Sequence, residues 1–350
     1  MTSKERIRTA IQHKEPDRLP KDFIATPFVI ENLKKYLKMD SYEDVLNYFD
    51  IDVRVYELTD LYTGNRTKRW VEDGVPHETT FWNYDRMLYR AGEDYNYVNT
   101  RFALDDDDDI NDALDKYEFP NADEFDYSKI TDWAMQHEGK ALCFGHAGAY
   151  QMAATNLRNT ELLFMDMACD PDGAHRLFDQ MNNFLLAHYE KALEAGKGKI
   201  DILRVHDDYG TQLSTLFSAE MWRTYFKENL TKFVNLAHKY DCYFMQHSCG
   251  AIRSFIPELI GCGVDVLDPI QKVVGLEIEG LKADFGDKIT FHGGIDTQFL
   301  LPNAPPEEVK EECKHFINVL NKNGGYIFTS SQHLQGDVPL ENILAMYDRL

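Results

Sequence analysis

Short apolar runs alternate with longer segments of helical periodicity along most of the chain. The apolar runs predict eight strands, at residues 22–25, 53–56, 141–144, 202–205, 243–246, 264–267, 289–292 and 326–329. Helical spacing with start and stop signals predicts helices at 171–195, 219–239, 252–260, 275–285, 306–320 and 340–350. Strands that alternate with helices indicate a parallel sheet, so eight such units predict an α/β fold with a single (βα)8 TIM barrel. A doubly wound open sheet is the competing architecture, but we find no glycine-rich dinucleotide-binding motif to support it.

Residues 61–109 do not fit this alternation. They contain aromatic runs at 69–71 and 79–82, separated by a Gly-Val-Pro segment at 74–76. This pattern predicts an inserted hairpin or small sheet between the second and third strands of the barrel. The aspartate run at 105–109 lacks the alternating ligands and glycine turn of a calcium loop, which indicates a solvated loop. We therefore expect one barrel domain over residues 1–350 with an insertion at 61–109.

Charge and cysteine content limit the partners of this protein. The chain has 350 residues and a formal net charge of -22, which disfavours nucleic acid and anionic membrane as partners of its surface. Six scattered cysteines do not form a disulfide scaffold, and no window approaches about 18 uninterrupted apolar residues. These features predict a cytoplasmic protein that acts on a small molecule, and they leave a homo-oligomer open.

Polar side chains follow most of the predicted strands, at the end of a barrel where enzymes of this fold keep their active sites. We expect substrate contacts from five of them, namely His146, His206, Gln212, Gln271 and Asp296. Three further residues are candidates for catalysis, namely Asp207, Asp208 and His292. Asp207 and Asp208 are adjacent, so in an extended chain only one of them enters the pocket while the other can cap a helix.

The sequence His247-Ser248-Cys249 at the end of the fifth predicted strand is a candidate metal site. Residues i and i+2 of an extended chain point to the same side, so the imidazole and the thiol can converge on one ion. Zinc suits this pair of ligands and needs a third protein ligand in a catalytic site. His333, His292, His206 and Asp207 are the candidates for it. The alternative is a free thiol packed beside a hydrogen-bonded histidine.

Several motifs in this order resemble the uroporphyrinogen decarboxylase superfamily, which also contains zinc- and corrinoid-linked methyltransferases. The resemblance rests on Lys-Glu-Arg at 4–6, Glu-Pro-Asp-Arg-Leu-Pro at 15–20, Asp-Asp-Tyr-Gly-Thr-Gln at 207–212, His-Ser-Cys-Gly at 247–250, Leu-Asp-Pro-Ile-Gln at 267–271, His-Gly-Gly-Ile-Asp at 292–296 and the segments 324–326 and 339–343. It covers nearly the whole chain and implies one (βα)8 barrel with its pocket at the carboxyl ends of the strands.

The resemblance also implies an activity. The arginine-rich N-terminal loop of true uroporphyrinogen decarboxylases is absent from the segment 21–27, which argues against a polycarboxylate substrate. The zinc methyltransferases use His-x-Cys and a further cysteine near the last strand, where this chain has Gln332 followed by His333. The resemblance therefore implies zinc held by His247, Cys249 and His333.

The resulting hypothesis is a methyltransferase that works with a corrinoid carried by a separate protein. In this hypothesis zinc acts as a Lewis acid on a small methylated donor or on a thiol acceptor. One alternative is a metal-free decarboxylase or lyase that acts on a small carboxylic acid and uses Asp207, His247 and His333 for proton transfer. The other is a non-catalytic ligand-binding barrel.

Overall fold

The computed structural model describes residues 1–92 and 94–347, and within them a parallel sheet carries the main body of the fold. Its strands are β1 (Val53–Glu57), β6 (Ala141–Ala147), β7 (Ile202–His206), β8 (Tyr243–His247), β9 (Val266–Ile270), β10 (Thr290–Ile295) and β11 (Tyr326–Ser330). All neighbours pair in parallel, in the order β1-β6-β7-β8-β9-β10-β11. Seven of the eight predicted strands are therefore confirmed, with shifts of up to three residues at their ends.

The predicted strand at 22–25 is not a regular strand in this structure. The segment makes two isolated parallel bridges, from Lys21 to Phe328 and from Ala25 to Leu334. On its other side the carbonyl of Lys21 accepts a hydrogen bond of 2.9 Å from the amide of Asp52, one residue before β1. The segment is too irregular for a continuous ladder, because only some of its backbone groups face a neighbouring strand. The sheet therefore has seven regular parallel strands, and the first predicted strand, at 22–25, is corrected to an extended segment.

The predicted insertion is a separate antiparallel sheet. Its strands are β2 (Lys68–Glu72), β3 (Val75–Thr79), β4 (Asp85–Ala91) and β5 (Asp94–Arg101), paired in chain order. Asp73 and Gly74 connect β2 to β3 with φ angles of 50° and 80°. Two consecutive positive φ angles are typical of the tight hairpin turn that Asp-Gly favours. The small sheet follows β1 and precedes β6, as the sequence predicts for an insertion between the second and third strands.

Fifteen α-helices occupy the connections within the described residues. Those before β6 are α1 (Ser3–Ile11), α2 (Pro27–Leu37), α3 (Tyr42–Tyr48), α4 (Ile110–Lys116) and α5 (Ser128–Gln136). Those after it are α6 (Ala149–Met152), α7 (Thr160–Cys169), α8 (Pro171–Gly196), α9 (Ala219–Trp222), α10 (Glu228–Lys239), α11 (Ile256–Cys262), α12 (Ile278–Phe285), α13 (Leu300–Asn303), α14 (Pro306–Leu320) and α15 (Leu340–Tyr347). Residues 348–350 of the predicted last helix lie outside the described residues.

Two apolar clusters explain the position of the site. Ile7 and Ile11 of α1 pack against residues at the amino ends of the strands, among them Val53, Ala141 and Ile202. A much larger cluster lies between the strands and the surrounding helices. Parallel strands covered in this way are buried on both faces, and β9 and β11 are buried throughout. Because α1 packs against the amino ends of the strands, the polar side chains at their carboxyl ends are left to form a site.

No described helix is both long enough and apolar enough to span a lipid bilayer.

Candidate metal centre and active site

One row of residues across four strands organises the candidate site. Ala147 of β6 pairs in register with His206, His206 with His247, and His247 with Asp268 of β9. His206 and His247 stack with ring centroids 4.7 Å apart. The two histidines predicted from the ends of separate strands are therefore neighbours, as the carboxyl ends of parallel strands require.

His247, Cys249 and Asp208 form the described group of side chains that could hold a metal ion. One ligand atom of each lies within 4.8 Å of the other two. The Cys249 Sγ is 3.3 Å from the His247 Nε2, and that nitrogen is 3.6 Å from an oxygen of Asp208. Tetrahedral zinc with bonds of about 2.0–2.3 Å places its ligand atoms roughly 3.3–3.8 Å apart. The donor types and these two distances therefore fit a zinc ion.

Asp268 fixes the orientation of the His247 ring. Its Oδ2 lies 2.8 Å from the His247 Nδ1, and because a carboxylate can only accept, that nitrogen carries the proton. Once the ring loses its second proton, the Nε2 lone pair is therefore the one that faces Cys249 and Asp208. A carboxylate that holds the far nitrogen of a histidine is the usual second partner in zinc sites. Asp268 is 1% exposed, so this contact is sheltered from water.

The hydrogen bonds continue beyond Asp268. Its other oxygen lies 2.7 Å from the His292 Nδ1, and the His292 Nε2 lies 3.0 Å from the Asp22 Oδ2. Both ring nitrogens of His292 face carboxylates, so both donate and the ring is an imidazolium. Burial alone would lower the pKa of His292, but the charge of Asp268 and these hydrogen bonds raise the pKa to about 9. A continuous chain of contacts thus joins Asp22, His292, Asp268, His247 and Cys249.

The same charges act on the other members of the chain. Burial raises the pKa of Asp268, but the positive charges of His292 and His247 lower it. The resulting pKa lies well below the usual range of an aspartate. Burial lowers the pKa of His247, but the negative charge of Asp268 raises it, and the resulting pKa lies well above its ordinary value. Burial also raises the pKa of the Cys249 thiol, against a hydrogen bond from His247 that lowers it. Without a metal ion Cys249 is therefore a neutral thiol and His247 an imidazolium, so a metal would have to displace one proton from each of them.

The predicted metal ligand His333 is not part of the metal-binding group among the described residues. Its neighbour Gln332 reaches the site instead, with its Nε2 2.6 Å from the Cys249 Sγ. His333 lines a separate cavity of about 420 Å³ together with Asp22, Glu57 and Arg204. Burial lowers the pKa of His333, and the positive charges of Arg204 and His247 lower it further, so the ring is neutral. The third ligand that the geometry offers is Asp208.

Asp207 and Asp208 separate as the extended backbone requires. Asp208 turns toward Cys249 and accepts a hydrogen bond of 2.8 Å from its amide. Asp207 accepts one of 2.8 Å from the amide of Gln151 in α6, which makes it a helix-capping residue. Burial raises the pKa of Asp207 to about 7. Catalytic roles for both residues remain predictions, and Asp208 is the one that lies in the metal-binding group.

The predicted substrate contacts lie in different places. Asp296 accepts from the amides of 298, 299 and 300 and so caps a turn. Gln271 accepts from the amide of Gly250, beside the metal-binding group, whereas Gln212 is exposed. His146 is buried at the end of β6, and its Nε2 has no hydrogen-bond partner within the described part of the chain. Of these residues, His206 and Gln271 lie beside the candidate metal centre.

Three functional candidates were missed in the sequence. Asp268 and Asp22 belong to the hydrogen-bonded chain, and Arg204 of β7 is buried and lines the cavity beside His333. Asp268 belongs to the motif at 267–271, and its position after a predicted strand could have indicated that it lies in the site. Nothing in the local sequence distinguishes Asp22 or Arg204 from the many other charged residues of this chain, because their partners are distant in the sequence.

A curved parallel α/β sheet with a polar cluster at its strand ends is the architecture of a large class of enzymes. The family model described as Uroporphyrinogen decarboxylase (URO-D) matches residues 107–350, and the chain belongs to this family. The expected family is therefore confirmed.

Relatives of two kinds are similar to this chain. The methylcobamide:CoM methyltransferase MtaA of Methanosarcina barkeri is 25% identical over 161 residues, which cover 46% of this chain and 43% of that protein. The methylated-thiol–coenzyme M methyltransferase of Methanosarcina mazei is 26% identical over 176 residues, 50% of this chain and 44% of that protein. A uroporphyrinogen decarboxylase of Chlorobium limicola is 22% identical over 242 residues, 66% of either chain. The chain thus matches less than half of the length of both methyltransferases.

A solved structure supports the fold over the whole chain. A methyltransferase from Methanosarcina mazei superposes with a TM-score of 0.71, covers 99% of this chain and 97% of its own, and is 15% identical. At this identity the similarity concerns the fold.

Proposed function

We propose that this protein is a methyltransferase that moves a methyl group between a small molecule and a corrinoid carried by a separate protein. The observation that carries the proposal is the group of His247, Cys249 and Asp208, with Asp268 orienting the histidine. Two similar proteins are named as methyltransferases that act with coenzyme M, one of them on a methylcobamide. Because sequence identity is low, the substrates of those proteins are a guide to the class of reaction only.

The residues of this chain have distinct roles in the proposed reaction. A zinc ion held by His247, Cys249 and Asp208 would supply Lewis acidity to the heteroatom that gives or receives the methyl group. Asp268 keeps the proton of His247 on Nδ1 and so keeps its Nε2 available. Gln332 donates to the Cys249 Sγ, and a donor at this position disperses the charge of a thiolate.

We further propose that the extended segment 20–26 serves as the eighth strand of a closed barrel and that residues 1–350 form one domain. The bridges to Phe328 and Leu334 on one side and the hydrogen bond from Asp52 on the other support this arrangement. Asp22 lies in this segment, so its contact with His292 would join the segment to the site.

A decarboxylase is the second candidate, and one observation favours it. Arg204 is buried, lines the 420 Å³ cavity beside His333, and its Nε has no hydrogen-bond partner among the described residues. A buried guanidinium is the side chain best suited to bind a carboxylate. In this case Cys249 would be a packed thiol, and the protein would act without a metal ion.

Metal analysis of the purified protein separates the two candidates. We expect wild-type protein grown with zinc to hold about one ion per chain and Cys249→Ala to lose most of it, because zinc needs three protein ligands in such a site. Cys169→Ala is the matched control, since Cys169 is an exposed free cysteine far along the chain from the site. Equal zinc content in wild type and Cys249→Ala would contradict the proposal.

A further inference from the structure

The strand β2 forms a free edge of the inserted sheet. It is the first strand in the order β2-β3-β4-β5, it has no second neighbouring strand among the described residues, and all of its residues, Lys68–Glu72, are exposed. The opposite edge strand, β5, contacts the main body, because the side-chain amide of Asn99 donates to the side-chain oxygen of Asn156 at 3.0 Å. A free edge presents backbone groups that can pair with another strand. The β2 edge is therefore a candidate interface.

The pairing of β2 with β3 shows which backbone groups face this edge. Val71 lies opposite Pro76, which has no N–H group, and Arg69 lies opposite Glu78. Opposed residues of an antiparallel pair alternate between those that exchange both hydrogen bonds and those that exchange none. The pair of Val71 and Pro76 is of the second kind, and so is the pair two residues earlier. The N–H and C=O groups of Arg69 and Val71 therefore point away from β3, toward the free edge.

These groups fix how a second copy of the chain can pair with β2. An antiparallel arrangement with Trp70 opposite Trp70 of the second copy places Arg69 opposite Val71 of that copy, and Val71 opposite its Arg69. Each of these two pairs exchanges both backbone hydrogen bonds, which gives four bonds across the edge. The arrangement has a two-fold axis at Trp70, the symmetry that most protein homodimers have.

The charges of β2 favour the same register. With Trp70 on the two-fold axis, Lys68 of each copy lies opposite Glu72 of the other. Neither side chain makes an ion pair within one copy in the described part of the chain. Opposite charges on directly opposed residues stabilise a sheet, and like charges destabilise it. A register centred on Arg69 would place two arginines opposite each other, so the charges select the register centred on Trp70.

A row of side chains on one face of the inserted sheet ends at the same residue. Trp70 pairs with His77, His77 with Met87, and Met87 with Val98, one residue from each strand. The Trp70 ring stacks on His77 with centroids 5.2 Å apart, but Trp70 remains 39% exposed. A two-fold axis at Trp70 would join this row to the row of the second copy and cover both indole rings. Tryptophan at the centre of an interface commonly carries much of the binding energy.

We infer that β2 is a homodimerisation edge, at which two copies pair antiparallel through residues 68–72 about a two-fold axis at Trp70. The two four-stranded sheets then form one continuous sheet. Two five-residue strands make a small interface, and the net charge of -22 on each copy opposes association. We therefore expect a weak dimer, with a Kd of about 10–100 µM in roughly 0.15 M salt. The inference does not depend on the proposed function.

Sedimentation velocity of the purified full-length protein, from about 5 to 500 µM, measures the dimer. We expect Val71→Pro to weaken it about tenfold or more, because each copy loses one of the N–H donors that cross the edge. Proline is tolerated at such a position of an edge strand, so the melting temperature should stay close to that of wild type. Val71→Thr is the matched control, since it keeps the N–H group and the branched shape, and it should dimerise like wild type.

Exchange of the two charges tests the register, and it also serves if Val71→Pro does not fold. Lys68→Glu alone and Glu72→Lys alone should each weaken the dimer by about threefold to tenfold, because like charges then face each other in two places. The double variant should recover the wild-type Kd. A dimer of unchanged strength in folded Val71→Pro, or a double variant no stronger than the single ones, would overturn the inference. A monomeric wild type over the whole range would also overturn it and would point to an extended segment of another protein as the occupant of the edge.

Discussion

Replacing Asp268 by asparagine removes the contact that orients the proposed zinc ligand His247. The carboxylate accepts from the Nδ1 atoms of His247 and His292 at 2.8 and 2.7 Å. Asparagine has one acceptor oxygen and one amino group, so it can accept from only one of the two rings. If the amino group faces His247, the ring must turn its proton to Nε2, which can then no longer bind zinc.

The structure indicates the size of this effect. Loss of a carboxylate that supports a zinc-bound histidine typically weakens metal binding by about 10–100-fold, or roughly 1.4–2.7 kcal/mol. Asp268 is 1% exposed, so no water replaces the lost acceptor easily, and we expect the upper half of this range. Protein stability should fall as well, because Asp22 would be the one carboxylate left beside the buried imidazolium of His292.

Competition with a chromophoric zinc chelator measures the affinity of wild type and Asp268→Asn. Asp296→Asn is the matched control, because Asp296 is also a buried aspartate after a strand but accepts only from backbone amides. We expect the control to keep most of its stability, because asparagine caps about as well as aspartate, and to bind zinc like wild type. An Asp268→Asn variant that folds and binds zinc within twofold of wild type would refute the role given to Asp268.

Two further predictions concern the third ligand and the pH dependence of stability. Asp208→Asn should weaken zinc binding more than His333→Ala in the same competition assay, and the reverse order would favour His333 as the ligand. In metal-free protein His292, whose pKa is raised to about 9, should stabilise the fold fully below about pH 6.5. That contribution of about 3 kcal/mol should be lost as the pH rises toward 9, because the folded state keeps the His292 proton up to a higher pH than the unfolded state does. Urea unfolding of wild type and His292→Gln between pH 6 and 9 measures it, and parallel pH profiles would contradict it.

Strand and helix alternation was predictable because burial on both faces of a parallel sheet leaves short apolar runs in the sequence. In the segment 22–25 this signal predicts a regular strand that the structure does not have. Its apolar residues resemble a strand, but regular pairing depends on the spacing of β1 and β11, which no local pattern encodes. The inserted sheet could be located by its aromatic alternation and its Asp73-Gly74 turn, although which of its edges stays free depends on how it packs on the main body.

The site was predictable to the extent that its residues follow strands. His247 and Cys249 converge as their i, i+2 spacing requires, and the adjacent aspartates separate into a helix cap and a member of the metal-binding group. The choice of His333 as third ligand depended on the resemblance, which gives the position of a residue and not the direction of its side chain, and Asp208 was not among the candidates considered. The chain from Asp22 through His292 to Asp268 joins residues up to 270 positions apart, so only the folded structure reveals it.

The central claim is that methyl transfer takes place at His247, Cys249 and Asp208. The most direct test mixes the zinc-loaded protein with a corrinoid protein reduced to cobalt(I) and a small methylated donor, and follows the absorbance of methyl-cobalt. We predict that wild type and Cys169→Ala form methyl-cobalt and that Cys249→Ser, with an unchanged far-ultraviolet circular dichroism spectrum, does not. Release of carbon dioxide from a carboxylic acid by zinc-free protein, at the same rate in wild type and Cys249→Ser, would contradict the claim.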